Sequence, residues 1–298
     1  MAVYSDHFYT SSDGLSLYYR DYAGSTGSTP VLCIPGLTRN CRDFDFIAAH
    51  IARSRRVLCA DLRGRGQSAS DPNWRNYTVS VERNDVARLL TVAAIPRVVV
   101  LGTSRGAIVA MALAAAQRDN VAGVILNDLG AELDAVGLER IMALVGQHAD
   151  FAGWEAAAES LKIAYQDRFI GVDAAGWERF ARAIYREKNG RIVPDYDLNL
   201  GSAMRDGASD GRAAQAETVK LWPLFAALSD VPTLLLRGEN SDLLSPQTAR
   251  KMKGAKPDLV IATIQGRGHV PFLDEPEAIA AIDAFLDRID NPEAMPAE

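Results

Sequence analysis

Ser104 stands between two glycines in Gly102-Thr103-Ser104-Arg105-Gly106, after the apolar run Val98–Leu101 and before the alanine-rich stretch from Ala107 to Gln117. A strand that turns at once into a helix strains the residue at the turn and needs small neighbours. The Gly-x-Ser-x-Gly spacing therefore predicts a nucleophile elbow, with the serine hydroxyl pushed into a cleft. The helix N-terminus that follows favours negative charge developing there. A serine so placed is suited to attack a carbonyl, provided a base takes its proton.

His269, in Gly266-Arg267-Gly268-His269-Val270-Pro271, supplies an imidazole in the loop after the last apolar run, Leu259–Ile264, on the same edge as Ser104. His7 lies before the fold proper, His50 beside an arginine-rich turn and His148 in a helical insertion; these three read as surface or packing residues. The imidazole needs a carboxylate to fix its tautomer and stabilise its cation. Asp242, in Gly238-Glu239-Asn240-Ser241-Asp242, is the first candidate, because the plainer task of capping the next helix is already filled by Ser245-Pro246. Asp128, in Leu126-Asn127-Asp128, emerges at the same edge and is the alternative acid, with Glu132 a more distant rival.

The oxyanion of an acyl-transfer intermediate needs two backbone donors. One is expected from Arg105, directly after the serine, and the other from Leu37, in the loop Pro35-Gly36-Leu37-Thr38, where Gly36 allows close backbone approach.

Positioning these groups requires a sheet whose strand ends share one edge. Short apolar runs of the buried-parallel type recur at Val31–Ile34, Val57–Ala60, Val98–Leu101, Val121–Leu126, Thr233–Leu236 and Leu259–Ile264. Helical stretches, such as Val81–Ala94 and Ala107–Gln117, separate most of them. Right-handed crossovers then bring every strand-exit loop to one edge. Leu15–Tyr19 after the Asp13-Gly14 turn predicts an antiparallel pair at the start. From about Glu132 to Lys220 no strand-like run is read. Leu138–Val145, Trp154–Tyr165 and Trp177–Tyr185 are amphipathic there, Gly190, Pro194 and 201–211 mark loops, and the interval reads as an inserted helical cap. The expected division is a core of residues 1–131 and 221–298 around a cap of 132–220.

Of the 298 residues, 48% are hydrophobic and 23% charged, enough to bury a large core. Thirty-eight acidic residues against 32 Lys and Arg give a net charge of -6, which argues against a grip on nucleic acid or anionic lipid. The start lacks a basic segment followed by an apolar one, and the longest aliphatic run, Ala107 to Ala116, is too short to span a bilayer. With only Cys33, Cys41 and Cys59, two of them in buried runs, a cytoplasmic, reduced location is expected. No metal-ligand spacing occurs.

Together these segments resemble the α/β-hydrolase superfamily, in particular its capped esterases, lactonases and carbon–carbon-bond hydrolases. Pro35-Gly36 is similar to the family's oxyanion loop, Asp61-Leu62-Arg63-Gly64-Arg65-Gly66-Gln67-Ser68 to its glycine-rich turn, and Ser104, Asp242 and His269 to its triad in family order. The chain departs by having Pro35 where the family usually has histidine and Ala107 where it often has a second glycine. The resemblance implies an α/β-hydrolase fold, a mostly parallel central sheet flanked by helices with a helical cap. It also implies hydrolysis of a small to medium ester or lactone through an acyl-enzyme, needing neither metal nor organic cofactor. Carbon–carbon cleavage and cofactor-free perhydrolysis use similar triads, and a ligand receptor with vestigial hydrolysis is a further alternative. Gly64-Arg65-Gly66-Gln67-Ser68-Ala69 matches a dinucleotide fingerprint, but Ser70-Asp71-Pro72-Asn73 follows where the phosphate-binding helix should begin. Arg63, Arg65 and Gln67 are expected as turn residues. Phe151, Trp154, Tyr165, Phe169 and Trp177 are candidates to line the cap's pocket or to pack its helices.

Overall fold

A computed structural model describes residues 4–209 and 219–291. Strands β1 (Tyr4–Thr10) and β2 (Ser16–Tyr22) form an antiparallel pair about the Asp13-Gly14 turn. They are followed by β3 (Val31–Ile34), helix α1 (Asp45–Ile51), β4 (Val57–Ala60), α2 (Val79–Val92), β5 (Val98–Thr103), α3 (Arg105–Ala116) and β6 (Val121–Asn127). Further along come β7 (Glu132–Leu133), α4 (Ala135–Leu144), α5 (Trp154–Tyr165), α6 (Ala174–Ile184), β8 (Tyr185–Lys188), β9 (Arg191–Pro194), α7 (Leu200–Ser209) and β10 (Val219–Lys220). The chain closes with α8 (Trp222–Ala226), β11 (Thr233–Gly238), α9 (Pro246–Ala255), β12 (Val260–Ile264) and α10 (Pro276–Asp290).

Eight strands make one sheet in the order β1-β2-β4-β3-β5-β6-β11-β12, parallel from β4 to β12. The apolar runs are continuous because the sheet is covered on both faces. Leu32 and Ile34 of β3 join a core that includes Val86 and Leu89 of α2 and Val109 of α3, while Val31 and Cys33 point into a second core with Ile47 of α1 and Ile282 of α10. This is the two-residue period of a strand, and each fully buried aliphatic side chain contributes about 1.5–3 kcal/mol. Cys33, Cys41 and Cys59 are free and buried. Among the described residues, no helix is long and apolar enough to cross a membrane.

The interval after β6 is not purely helical. β7 pairs with β10, and β8 with β9 in a hairpin turning at Asn189-Gly190, where Gly190 has φ +73°. These strands are only two and four residues long, and exposed residues such as Arg186, Glu187 and Lys188 carry no apolar run, so the hydrophobic pattern gives no sign of them. The stretch expected as a loop from Gly201 is helix α7 as far as Ser209; residues 210 and 211 lie outside the described residues. Helices α5 and α6 bury their own apolar cluster around Leu161, Phe169 and Trp177.

Candidate active site

Ser104 sits between β5 and α3 with φ 50° and ψ −112°, a left-handed-side backbone that a non-glycine residue adopts at a cost of order 1–3 kcal/mol. The flanking glycines are required by contact. A Cβ on Gly102 would lie 2.5 Å from the Gly106 carbonyl oxygen, and one on Gly106 would lie 2.1 Å from that of Ile34. With larger residues the helix could not close onto the strand. The Ser104 N–H donates to the Asn127 carbonyl (3.1 Å), pinning the turn to β6.

The Ser104 hydroxyl is 2.9 Å from His269 Nε2, and His269 Nδ1 is 2.8 Å from Asp128 Oδ2. A carboxylate only accepts, so Nδ1 carries the ring proton and Nε2 is left to accept from the serine. The imidazole side chain is 7% exposed and the Asp128 side chain 0%, so the relay is shielded from bulk water. Asp128 is fixed on both oxygens: the Gly238 N–H donates to Oδ1 (2.8 Å) and the Ser241 hydroxyl to Oδ2 (2.6 Å). An imidazole bonded to a carboxylate on one side and facing a hydroxyl on the other can take that hydroxyl's proton.

Asp242, the first-choice acid, is therefore corrected to Asp128. The Asp242 carboxylate faces α4 and the segment after α5, where Arg140 Nε and Nη2 donate to it at 2.7 and 3.0 Å and Arg168 Nη1 at 2.9 Å. Burial pushes its carboxyl up, but the Arg140 hydrogen bonds and the charges of Arg140 and Arg168 outweigh this and hold it below the usual carboxylate range. The reason for the exchange lies in the sheet order: β6 lies between β5, which carries Ser104, and β11, so its first loop residue meets His269 directly. Glu132 is engaged elsewhere, with Lys251 and the Trp222 indole. His50 pairs with Asp283 and His7 stacks on Tyr19, away from the serine.

Gly36 lies against Ser104, since a Cβ there would be 3.8 Å from Ser104 Cβ. The adjoining Leu37 shares a cavity with Ser104 and His269. Arg105 is the first residue of α3, so its N–H falls outside the helix ladder. With Pro35 where the family usually has histidine, the Pro35-Gly36 loop is held by a different side chain. Arg65, fully buried, donates from Nε to the Leu37 carbonyl (2.8 Å) and from Nη1 to the Arg63 carbonyl (2.6 Å). The same Nη1 is 2.8 Å from Glu82 Oε1 as an ion pair, without a hydrogen bond to that oxygen. Glu82 Oε2 accepts from Arg105 Nε at 2.7 Å. One buried carboxylate thus ties the arginine that holds the Leu37 loop to Arg105, the residue after Ser104. Arg63 holds the glycine-rich turn instead, through Asp71, Asp85 and Asp13.

The cavity over Ser104 has a volume of about 350 Å³. Of the candidate aromatics, Phe151 and Tyr165 line it, whereas Phe169 and Trp177 are buried in the α5–α6 cluster and Trp154 packs on that cluster.

The fold and this arrangement define a hydrolase class, and sequence comparison agrees: residues 31–282 match the Alpha/beta hydrolase family, to which the chain belongs. The chain is 28% identical over 280 residues to the 3-hydroxybutyrate-oligomer hydrolase of Cupriavidus necator, covering 90% of this chain and 92% of the relative. It is 24% identical over 286 residues to the 2-(acetamidomethylene)succinate hydrolase of Mesorhizobium japonicum, covering 96% and 98%. The crystal structure of an alpha/beta hydrolase from Novosphingobium aromaticivorans superposes with a TM-score of 0.88 at 42% identity, over 97% of this chain and 99% of that one.

Proposed function

We propose that the protein is a serine hydrolase that cleaves a carboxylic ester or lactone of small to medium size through an acyl-enzyme. The observation that carries this is the continuous hydrogen-bonded line from Ser104 through His269 to Asp128. His269 takes the Ser104 proton as the oxygen attacks the carbonyl, and the Leu37 and Arg105 N–H groups receive the oxyanion. His269 then protonates the leaving alcohol and activates the water that clears the acyl group. Within residues 132–220, helices α4, α5 and α6 act as the cap over the cavity. The name of the Cupriavidus relative, describing hydrolysis of a hydroxy-acid oligomer, favours an ester bond over a carbon–carbon one.

The test is a panel of p-nitrophenyl esters of graded chain length, lactones and a meta-cleavage product. Turnover of esters or lactones is expected. Turnover of the meta-cleavage product alone would replace the ester assignment by carbon–carbon cleavage, and an unreactive Ser104 with no turnover at all would favour a receptor.

The Glu82 clamp gives a second expectation. Glu82→Gln should lower kcat by roughly 10- to 100-fold with little change in KM, short of the ~10²–10³ expected for deleting an oxyanion donor outright. Thermal stability should also fall, because the change leaves buried Arg65 and part-buried Arg105 without their shared counter-charge. Steady-state kinetics checks this, and a raised KM at unchanged kcat would separate the clamp from the oxyanion.

A further inference from the structure

The cavity over Ser104 is walled largely by apolar side chains from the insertion, among them Ile141, Leu144, Leu161 and Ile184. Arg39 and Arg140 also line it, and among the described residues no Asp or Glu does. Such a wall is a low-dielectric surround in which a single charge acts strongly. Arg39 is matched by Asp43, which accepts from its Nε and Nη2 at 2.5–3.1 Å. Arg140 is held on the same edge by Asp242, but it shares that carboxylate with Arg168.

Asp242 accepts from Arg140 and from Arg168 together, so one carboxylate answers two guanidinium groups. All three side chains are largely buried, with exposures of 22%, 18% and 21%. The further acid beside Arg168, Asp167, is 72% exposed and 3.4 Å away, where solvent screens it. Tyr165, itself a lining residue, has Arg140 and Arg168 at 5.6 and 5.5 Å from its ring centroid. Counted without the exposed Asp167, the three largely buried side chains carry one excess positive charge, and Arg140 is the member of the three that lines the cavity holding Ser104. Such a charge is costly in an apolar pocket unless a ligand answers it.

We infer that this site takes esters carrying a free carboxylate, which Arg140 receives while Asp242 and Arg168 set its position and charge. The inference rests on the ester-hydrolase reading above and names its substrate class. Asp242 then has a role after all, as a positioning residue for substrate recognition and not as the acid behind His269. Arginine suits the task, since its planar fork can engage one carboxylate on its Nε–Nη2 edge and still offer donors to another.

The experiment compares mono-p-nitrophenyl glutarate with p-nitrophenyl pentanoate, esters whose acyl chains have equal carbon number and differ in the terminal charge. The wild-type protein should favour the glutarate ester in kcat/KM. Arg140→Gln should reduce that preference by roughly 10- to 100-fold, mainly through the KM of the charged ester, as expected for losing a charge-assisted hydrogen bond. Arg140→Lys should restore part of it. Calorimetric binding of the same pair to Ser104→Ala reads recognition without turnover. Equal binding of the two esters, or a preference that survives Arg140→Gln, overturns the subsite. Discrimination in binding with neither ester hydrolysed by the wild type would leave the subsite standing and overturn the ester reading.

Discussion

Asp128→Asn is expected to lower kcat on a neutral ester by on the order of 10⁴, whereas Asp242→Asn should cost less than about tenfold. The carboxylate of Asp128 is the acceptor for the ring proton on His269 Nδ1, and in the proposed mechanism it answers the imidazolium that forms when Ser104 gives up its proton. An asparagine offers an amide in its place. Rotated one way it presents N–H to the ring, which forces the proton to Nε2 and removes the acceptor that Ser104 needs; rotated the other way it keeps the tautomer but loses the charge. Asp242 has no hydrogen bond to His269, and its partners are Arg140 and Arg168. Steady-state kinetics on p-nitrophenyl pentanoate separates the two. A large loss at 242 with a small one at 128 would return the catalytic role to Asp242.

Ser104→Ala should lose about 10⁶ in kcat, since its hydroxyl is the one at the elbow that is hydrogen-bonded to the His269 imidazole, and the remaining rate would come from binding and the oxyanion donors. Truncating one half-buried oxygen removes a single hydrogen bond, to His269, so the melting temperature should move by no more than a few degrees. Fluorophosphonate should label the wild type at Ser104 and leave Ser104→Ala unlabelled. A variant that keeps turnover while staying folded would exclude a serine nucleophile at this elbow.

Much of this arrangement was legible because it depends on local chain chemistry. Gly102 and Gly106 announce a backbone contact that admits no side chain, and the apolar runs at Val31–Ile34 and Val57–Ala60 coincide with β3 and β4 because strands covered on both faces have no polar side. The acid was ambiguous for a different reason. Asp128 and Asp242 both follow parallel strands, and only the lateral sheet order puts the first beside the serine. What draws Asp242 away, Arg140 and Arg168, lies 102 and 74 residues distant on the insertion, beyond any local spacing rule. Arg65 read as a turn residue because its bond to the Leu37 carbonyl spans 28 residues. Its setting among glycines in the 61–68 turn was the one available signal that a long side chain there would be turned inward.

The account is tested most directly by quenching the wild-type protein with acid during the first turnovers of p-nitrophenyl pentanoate and weighing it intact. The expected result is a transient mass gain of one pentanoyl group, mapping to the peptide that carries Ser104 and absent from Ser104→Ala. Ester turnover with no covalent species under those conditions, or an acyl group mapping to any other residue, would contradict it.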